Sequence, residues 1–303
     1  MKPHVLENDV WQIGLLPETG MSTAFGRIKH GGAWLDFMRP TAEASYRYPS
    51  DCASFLLVPW SNRLRDARFR FRGKTYQLAS NMRDGTAIHG VGREHPWAVE
   101  RADGRQLAAS FDSRAHENIA FPFAFTARAA FRVEGQRFRC DLAVRNESRE
   151  PMPAGFGHHP YFQRALAGPT DTVRLAIPCA QYFELDNCLP SAPPVPVDPR
   201  VDFRNLRPLG DAPIDDCLTD RQGDAPVRFS FAESGVRIAL EFDWLFANVV
   251  LYVPPGKSFF AVEPVTNAND GFNLYDRGIA GSGVFVLAPG EERAASFALT
   301  VQS

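Results

Sequence analysis

The sequence predicts an all-β fold, a large β-sandwich or barrel built from antiparallel sheets. Short segments alternate apolar and polar residues, turns that contain glycine separate several of them, and sustained helical periodicity is absent beyond a short stretch at residues 41–45. Many strands without intervening helices pack as antiparallel sheets, either face to face or closed on themselves.

The predicted strands are joined by tight connections. Residues 129–139 form two strands joined by a turn at residues 134–136, and residues 233–235 form another such turn. The other segments with clear alternation are residues 69–72, 121–128, 138–144 and 227–231.

A proline-rich segment is the one candidate boundary between domains. Residues 189–199 include five prolines, which preclude regular strand pairing along the whole segment. The strand pattern is the same on both sides of it. We therefore expect a long surface connection within a single domain, residues 1–303.

The charge of the chain argues against one class of partner. The formal net charge is -2, whereas proteins that bind nucleic acid usually carry a basic excess, so no nucleic-acid partner is expected. Arg68, Arg70 and Arg72 alternate with Phe69 and Phe71, which predicts that the three arginines lie on a solvated strand face.

Hydropathy and cysteines indicate the compartment. The N-terminal segment carries charges where a secretory signal has its apolar region, and no segment has the length and apolarity of a membrane span. The five cysteines are odd in number and lack CxxC spacing, which is typical of reduced thiols. A cytoplasmic protein without membrane contact is expected. Among the cysteines, Cys217 is expected near a site, because it follows Asp215 and Asp216.

Three segments carry groups that transfer protons. They contain His89, the adjacent His158 and His159, and Glu263. Histidine titrates near neutral pH and a partly desolvated glutamate can be tuned towards it, so the set could supply acid and base to a polar substrate without a cofactor. On a strand, His158 and His159 point to opposite faces, so only one of them faces a pocket.

Glu263 lies in a strongly apolar run, residues 258–264, where an unpaired carboxylate is costly to bury. Either an arginine pairs with it, or its apolar setting raises its pKa for a function. A zinc site formed by His89, His159 and Glu263 is not expected, because the short HExxH spacing typical of zinc sites is absent.

One set of motifs extends over most of the chain: Asn62-Arg63, Phe69, Gly73, Tyr76-Gln-Leu78, Asn81, His89-Gly90, Trp97, Gly157-His-His-Pro-Tyr-Phe162, Asp215 and Val262-Glu-Pro264. In wording and order the set resembles the aldose 1-epimerase, or galactose mutarotase, family. The resemblance implies a large antiparallel β-sandwich of the galactose-mutarotase type, with a monosaccharide in an open cleft on one sheet. It implies no cofactor and no metal, and we expect a monomer or homodimer.

The resemblance also implies roles for individual residues. Glu263 would be the general base that takes the proton of the C1 hydroxyl of a cyclic aldose, and His159 the acid that protonates the ring oxygen. His89 would hydrogen-bond the substrate near the ring oxygen, while Arg63 and Asp215 would hold hydroxyl groups. A reversible reaction without net redox change needs such an acid/base pair and positioning rather than a cofactor.

Two positions depart from the family pattern. The family's Asp-His pair after a tyrosine appears here as Ile214-Asp215-Asp216, which leaves open whether Asp215 or Asp216 faces the site. The other position is His158, to which no role is assigned.

An anionic sugar is an alternative substrate. A mutarotase for sulfoquinovose or a hexose 6-phosphate would need a cationic subsite, because arginine suits forked recognition of such anions. Arg63, Arg65, Arg83 and Arg93 are available in predicted loops.

A carbohydrate-binding protein without catalysis is an alternative from another class. Trp60, Trp97 and Phe162 would then be the platforms on which sugars stack. Such a protein does not require both His159 and Glu263, whereas an epimerase does, so their joint presence favours the enzyme.

Overall fold

The computed structural model describes residues 1–302 and contains two large antiparallel sheets. The larger one, the large sheet, has nine strands. In spatial order they are Ala98–Ala102, Gln106–Asp112, Phe125–Glu134, Arg137–Asn146, Glu292–Gln302, Arg237–Phe242, Val227–Phe231, Val173–Ala176 and Arg207–Pro208.

The second sheet has eight strands and is named the site sheet for the residues on its outer face. In spatial order its continuous path is Val195–Pro196, Cys179–Phe183, Ile214–Arg221, Asn248–Val253, Phe259–Val265, Gly157–His158 and Leu56–Leu57. The strand Tyr161–Gln163 also pairs with Phe259–Val265.

Smaller elements surround the two sheets. A four-stranded sheet contains His4–Glu7, Trp11–Leu16, Ser22–His30 and Ala33–Asp36. The two-stranded ribbons pair Arg63–Leu64 with Ala87–Ile88, Arg68–Phe71 with Lys74–Gln77, Met152–Ala154 with Phe285–Leu287, and Leu185–Asp186 with Leu189–Pro190. The helical segments are the 3-10 turns Pro17–Thr19, Glu43–Ser45, Pro49–Asp51, Arg65–Ala67, Gly92–Glu94 and Ser113–Ala115 and the α-helix Gly271–Asp276.

Aromatic side chains pack the two sheets against each other. Phe229 of the large sheet lies 4.8 Å from Phe162 and 6.1 Å from Phe260 of the site sheet, measured between ring centroids. At the other end of the interface, Phe297 of the large sheet stacks on His158, with centroids 4.2 Å apart. The main apolar core therefore lies between the sheets, and the predicted antiparallel β-sandwich is confirmed.

The predicted hairpin is present in the large sheet. Phe125–Glu134 and Arg137–Asn146 pair along their full length, and the pairing of Glu134 with Arg137 leaves a two-residue turn. Gly135 in that turn has a φ of 53°, a conformation that glycine adopts without steric cost. Alternate residues of both strands are buried, as the sequence pattern predicts.

Some local predictions were wrong at their edges. Residues 121–124 are not a strand, since Pro122 has no N–H to donate to a ladder, and the strand begins at Phe125. Arg68 and Arg70 are exposed on their strand as predicted, but Arg72 lies in the following turn with a φ of 50°. The stretch at residues 41–45 contains only one 3-10 turn, and the short helix at residues 271–276 was not predicted because six residues show little periodicity.

The proline-rich segment is attached to the site sheet. Within it, Val195–Pro196 pairs with Cys179–Phe183 at the edge of that sheet, where a missing N–H is tolerated. The segment therefore contributes an edge strand as well as a connection. These contacts support our proposal that residues 1–303 form one domain.

Candidate active site

A small cavity on the outer face of the site sheet brings the predicted site residues together. Its volume is about 160 Å³, below the usual range for drug-sized ligands and suited to a smaller molecule. The residues that line it are Asn62, Arg63, Ile88, His89, His159, Tyr161, Asp215, Tyr252 and Glu263. All five residues to which the sequence assigned a role are among them.

His159 and Glu263 meet at the wall of this cavity. His159 Nε2 lies 3.2 Å from Glu263 Oε1, and the two side chains are 7% and 3% exposed. Glu263 is on the strand Phe259–Val265, where Ala261 and Val265 share its outward direction and pack in a small apolar cluster. Its second oxygen, Oε2, is buried and has no hydrogen-bond partner within residues 1–302.

Burial shifts the proton affinities of this pair in opposite directions. It raises the pKa of Glu263 well above its ordinary value, with a further increase from Asp215 that Arg63 opposes. Burial and then the positive charge of Arg93 lower the pKa of His159 well below its ordinary value. The carboxyl group therefore binds its proton more tightly, and the imidazole binds its proton less tightly, than the same groups in water.

His89 is held in one neutral tautomer. Its Nδ1 accepts a hydrogen bond of 3.2 Å from the backbone N–H of Asn62, so the hydrogen of the neutral ring is on Nε2. Burial, and then the charge of Arg93, lower the pKa of His89 well below its ordinary value. His89 can therefore donate a hydrogen bond into the cavity without carrying charge.

The backbone around His89 is held in an unusual conformation. The φ angles of Asn62 and His89 are 55° and 66°, which residues with side chains seldom adopt. Gly90 follows with a φ of 67°, and a Cβ there would come within 2.0 Å of the carbonyl oxygen of Val58. Glycine is required at this position because the two segments approach so closely.

Arg63 lies at the rim, where its Nε is 3.2 Å from Asp84 Oδ2. Asp215 lies opposite Tyr252 on the neighbouring strand, and burial raises its pKa. Asp216 points to the other side of the sheet, where Arg200 donates to both of its carboxylate oxygens. The sequence left open which of the two aspartates faces the site. In the structure Asp215 lines the cavity and Asp216 does not.

The prediction that His158 and His159 point to opposite faces is confirmed. His158 faces the sandwich interior, and its Nε2 lies 2.6 Å from Ser54 Oγ. Burial lowers the pKa of His158 to about 3, so it stays neutral. Its position makes it a residue of the core rather than of the cavity.

Four lining residues were not singled out as site residues from the sequence: Asn62, Ile88, Tyr161 and Tyr252. Tyr161 could have been found, since it lies two residues after His159 and alternation puts both on one face. Tyr252 gave no such signal, because its position depends on the pairing of its strand with that of Asp215.

The prediction of exposed stacking platforms, made for the carbohydrate-binding alternative, was wrong. Trp60, Trp97 and Phe162 are at most 4% exposed and belong to the core, so no sugar can stack on them. Cys217, expected near a site, is fully buried in the small apolar cluster that also contains the lining residue Tyr161. Its strand does carry Asp215, but Cys188, on a different segment, is the cysteine that contacts that carboxylate, with Sγ 3.4 Å from Oδ2.

Of the four arginines considered for an anionic sugar, Arg63 alone lines the cavity. The Nε of Arg65 lies 3.7 Å from Asp270 Oδ2, and Arg83 is exposed. Arg93 is buried, with its guanidinium carbon 5.2 Å from the centre of the Phe55 ring.

The described part of the chain shows neither a metal site nor a helix that could span a membrane. Within residues 1–302, no group of three or more His, Cys, Asp and Glu side chains is arranged to hold a metal ion. The helices of the same residues include none with the length and apolarity needed to cross a membrane.

Comparison with known proteins agrees with this geometry. The model of the aldose 1-epimerase family matches residues 21–300. The chain belongs to the aldose 1-epimerase family. Among curated proteins, the uncharacterized protein YphB of Escherichia coli K12 is 24% identical over 282 residues, which cover 89% of this chain and 91% of that protein.

Solved structures extend the likeness of this aldose 1-epimerase family member to the whole fold. A galactose mutarotase-like protein from Clostridium acetobutylicum aligns with a TM-score of 0.87 at 19% identity, over 99% of this chain and 94% of that one. Galactose 1-epimerase from Lactobacillus acidophilus aligns with a TM-score of 0.78 at 15% identity, over 98% and 93%. The sandwich is thus of the galactose-mutarotase type, and family membership supports a mutarotase-type activity on a sugar.

Proposed function

We propose that this protein is an aldose 1-epimerase, or mutarotase, that interconverts the α and β anomers of an aldose, with Glu263 as base and His159 as acid. One observation carries the proposal: Glu263 Oε1 and His159 Nε2 lie 3.2 Å apart at the wall of a small polar cavity. The C1 hydroxyl and the ring oxygen of a cyclic aldose are bonded to the same carbon. A base and an acid that act on these two oxygens must therefore lie side by side.

Ring opening moves two protons and one bonding pair. The carboxylate of Glu263 takes the proton of the C1 hydroxyl, the C1–O5 bond breaks with its electrons passing to O5, and the imidazolium of His159 protonates O5. The free aldehyde then rotates about the C1–C2 bond. On reclosure His159 takes back the O5 proton and Glu263 returns its proton to O1, which yields the opposite anomer.

The opposite pKa shifts of Glu263 and His159 support this division of roles. Each proton transfer is easiest when donor and acceptor have similar proton affinities. Burial raises the pKa of Glu263 and lowers the pKa of His159, so the carboxylate is a stronger base and the imidazolium a stronger acid than the same groups in water. The pair returns to its starting protonation after each interconversion.

The other lining residues would position the sugar. Neutral His89 would donate its Nε2–H near the ring oxygen, and Arg63 and Asp215 would hold hydroxyl groups as donor and acceptor. Holding the reacting atoms within contact distance is itself a large part of catalysis in such reactions.

We also propose a cytoplasmic enzyme that acts as a monomer or homodimer on a small monosaccharide. The cysteines support this compartment, because all five are free thiols.

Exchange NMR on anomeric mixtures tests the function and the sugar together. Glucose, galactose, glucose 6-phosphate and sulfoquinovose would each be measured with the wild type and with Glu263→Gln. Wild type should accelerate interconversion of at least one sugar, while Glu263→Gln should bind that sugar and lose nearly all turnover, because an amide cannot accept the proton. The melting temperature of the variant checks that it is folded.

The possible outcomes separate the alternatives. Acceleration confined to the two anionic sugars would replace the neutral substrate by an anionic one. No acceleration of any sugar, with binding still detectable, would favour the carbohydrate-binding protein. Substantial turnover by Glu263→Gln would overturn the assignment of the base.

A further inference from the structure

A cysteine at the edge of the cavity holds one oxygen of Asp215. Cys188 lies in the turn between Leu185–Asp186 and Leu189–Pro190, where Asn187 and Cys188 have φ angles of 50° and 63°. Positive φ at both central residues of a two-residue hairpin is the geometry of a type I′ turn. The turn directs the thiol toward Asp215, with Sγ 3.4 Å from Oδ2.

A second contact fixes the turn to the loop that follows the site-sheet strand Phe259–Val265. The side-chain amide of Asn269 donates a hydrogen bond of 2.8 Å to the carbonyl oxygen of Cys188. Burial, and then the nearby charge of Asp215, raise the pKa of Cys188. The sulfur therefore keeps its hydrogen at neutral pH and can donate it to the carboxylate.

One buried hydrogen-bond acceptor in the same cavity is available to a ligand. Glu263 is 2% exposed, and its Oε2 has no hydrogen-bond partner within residues 1–302. A buried acceptor without a partner is costly unless a substrate or water supplies the missing hydrogen. Asp215 lines the cavity with it, so the direction in which the Asp215 carboxylate points affects how a ligand is held.

We propose that Cys188 is a positioning residue: its S–H donates to Asp215 Oδ2 and holds the carboxylate so that Oδ1 receives a substrate hydroxyl. The inference rests on the proposed function, since it takes Asp215 to bind the sugar. Cys188 does not touch the reacting atoms. It acts only by limiting the rotation of Asp215.

Kinetics of Cys188→Ala and Cys188→Ser test the positioning role. Loss of the thiol should raise KM about three- to tenfold, a modest effect because sulfur is a weak donor, and kcat should fall by less. Cys188→Ser retains a donor and should restore most of the affinity. In an Asp215→Asn background, Cys188→Ala should have little further effect, since both changes break one contact. An unchanged KM, or additive effects in the double variant, would refute the role.

Thiol labelling tests the contact without any sugar. The other four cysteines are buried, so a maleimide should react with Cys188 alone, and Cys188→Ala should not react. Asp215→Asn should speed labelling, because removal of the negative charge favours the thiolate. Asp216→Asn is the matched control, since Asp216 faces the other side of the sheet, and it should label like the wild type.

The two tests also separate this inference from the proposed function. Equal labelling of wild type and Asp215→Asn would overturn the contact even in an active enzyme. If the wild type interconverts no sugar, the proposed function fails and the positioning role fails with it, while the labelling comparison still decides whether Cys188 and Asp215 interact.

Discussion

The two faces of the site sheet place adjacent residues of the same type in different surroundings. His158 points inward, stacks on Phe297 and lies 2.6 Å from a buried serine hydroxyl, whereas His159 points outward and lies 3.2 Å from Glu263. Both histidines are buried, and burial lowers the pKa of each, so burial alone does not distinguish them. The two histidines differ in the partner that contacts the ring on each face of the sheet.

Asp215 and Asp216 repeat the contrast three strands away in the same sheet. Asp216 is neutralised by Arg200, an ordinary ion pair, while Asp215 faces the cavity with a thiol as its neighbour. The pleat of a strand makes successive side chains alternate, so one sheet carries structural residues on one side and candidate catalytic residues on the other. Variants of matched residues on the two faces can test this division.

The largest contrast is expected between His159→Asn and His158→Asn. The first removes the acid and should lower turnover by ~2 to 4 orders of magnitude with little loss of stability. The second should keep most turnover and lower the free energy of unfolding by about 2 kcal/mol, since it leaves the Ser54 hydroxyl without its partner and removes the ring that stacks on Phe297. Anomer exchange and urea unfolding measure both quantities, and equal turnover losses would erase the distinction.

A smaller contrast is expected between Asp215→Asn and Asp216→Asn. Loss of a charged acceptor for a hydroxyl should reduce kcat/KM by about ten- to a hundredfold in Asp215→Asn. Asp216→Asn should leave kcat/KM near that of the wild type and lower stability by about 1 kcal/mol, because Arg200 is partly exposed and solvent screens the pair. A large kinetic defect in Asp216→Asn would reverse the assignment of the two faces.

The last contrast concerns the pH dependence of stability. The pKa of His158 is about 3 in the folded protein, against an ordinary value of 6.5, because burial disfavours its charged form. Between pH 6.5 and 3 the unfolded chain therefore binds a proton at this histidine and the folded protein does not. The contribution of neutral His158 to stability is present above pH 6.5 and is lost as the pH falls toward 3. Melting temperatures should fall over this range, and fall less in His158→Asn. Identical pH profiles would show that His158 does not titrate on unfolding.

Much of the site was predictable from the sequence because its parts are local. The Gly157-to-Phe162 motif predicted that one of two adjacent histidines faces a pocket, and the apolar run around Glu263 indicated a carboxylate that either pairs with an arginine or has a raised pKa. His89 and Arg63 were expected in the site from the resemblance to the aldose 1-epimerase family. All of these residues line the cavity.

Other features depended on contacts between distant segments. The choice between Asp215 and Asp216 required the register of their strand, which pairs Asp215 with Tyr252. Cys188 gave no signal as a neighbour of Asp215, 27 residues further along the chain. The alternative of a carbohydrate-binding protein required Trp60, Trp97 and Phe162 to be exposed platforms, whereas the chain buries them in its core.

The alternation of residues and the placement of turns are properties of the sequence. They were enough to predict antiparallel sheets in a sandwich or barrel and the division of each strand into two faces, and the family resemblance added the sandwich. Which face meets the second sheet and which meets solvent depends on how the sheets pack. Here the aromatic residues between the sheets, Phe229 with Phe162 and Phe260, occupy one side and leave His159 and Glu263 on the other. The pKa values of the site follow from that packing, because they depend on the water that the assembled fold excludes.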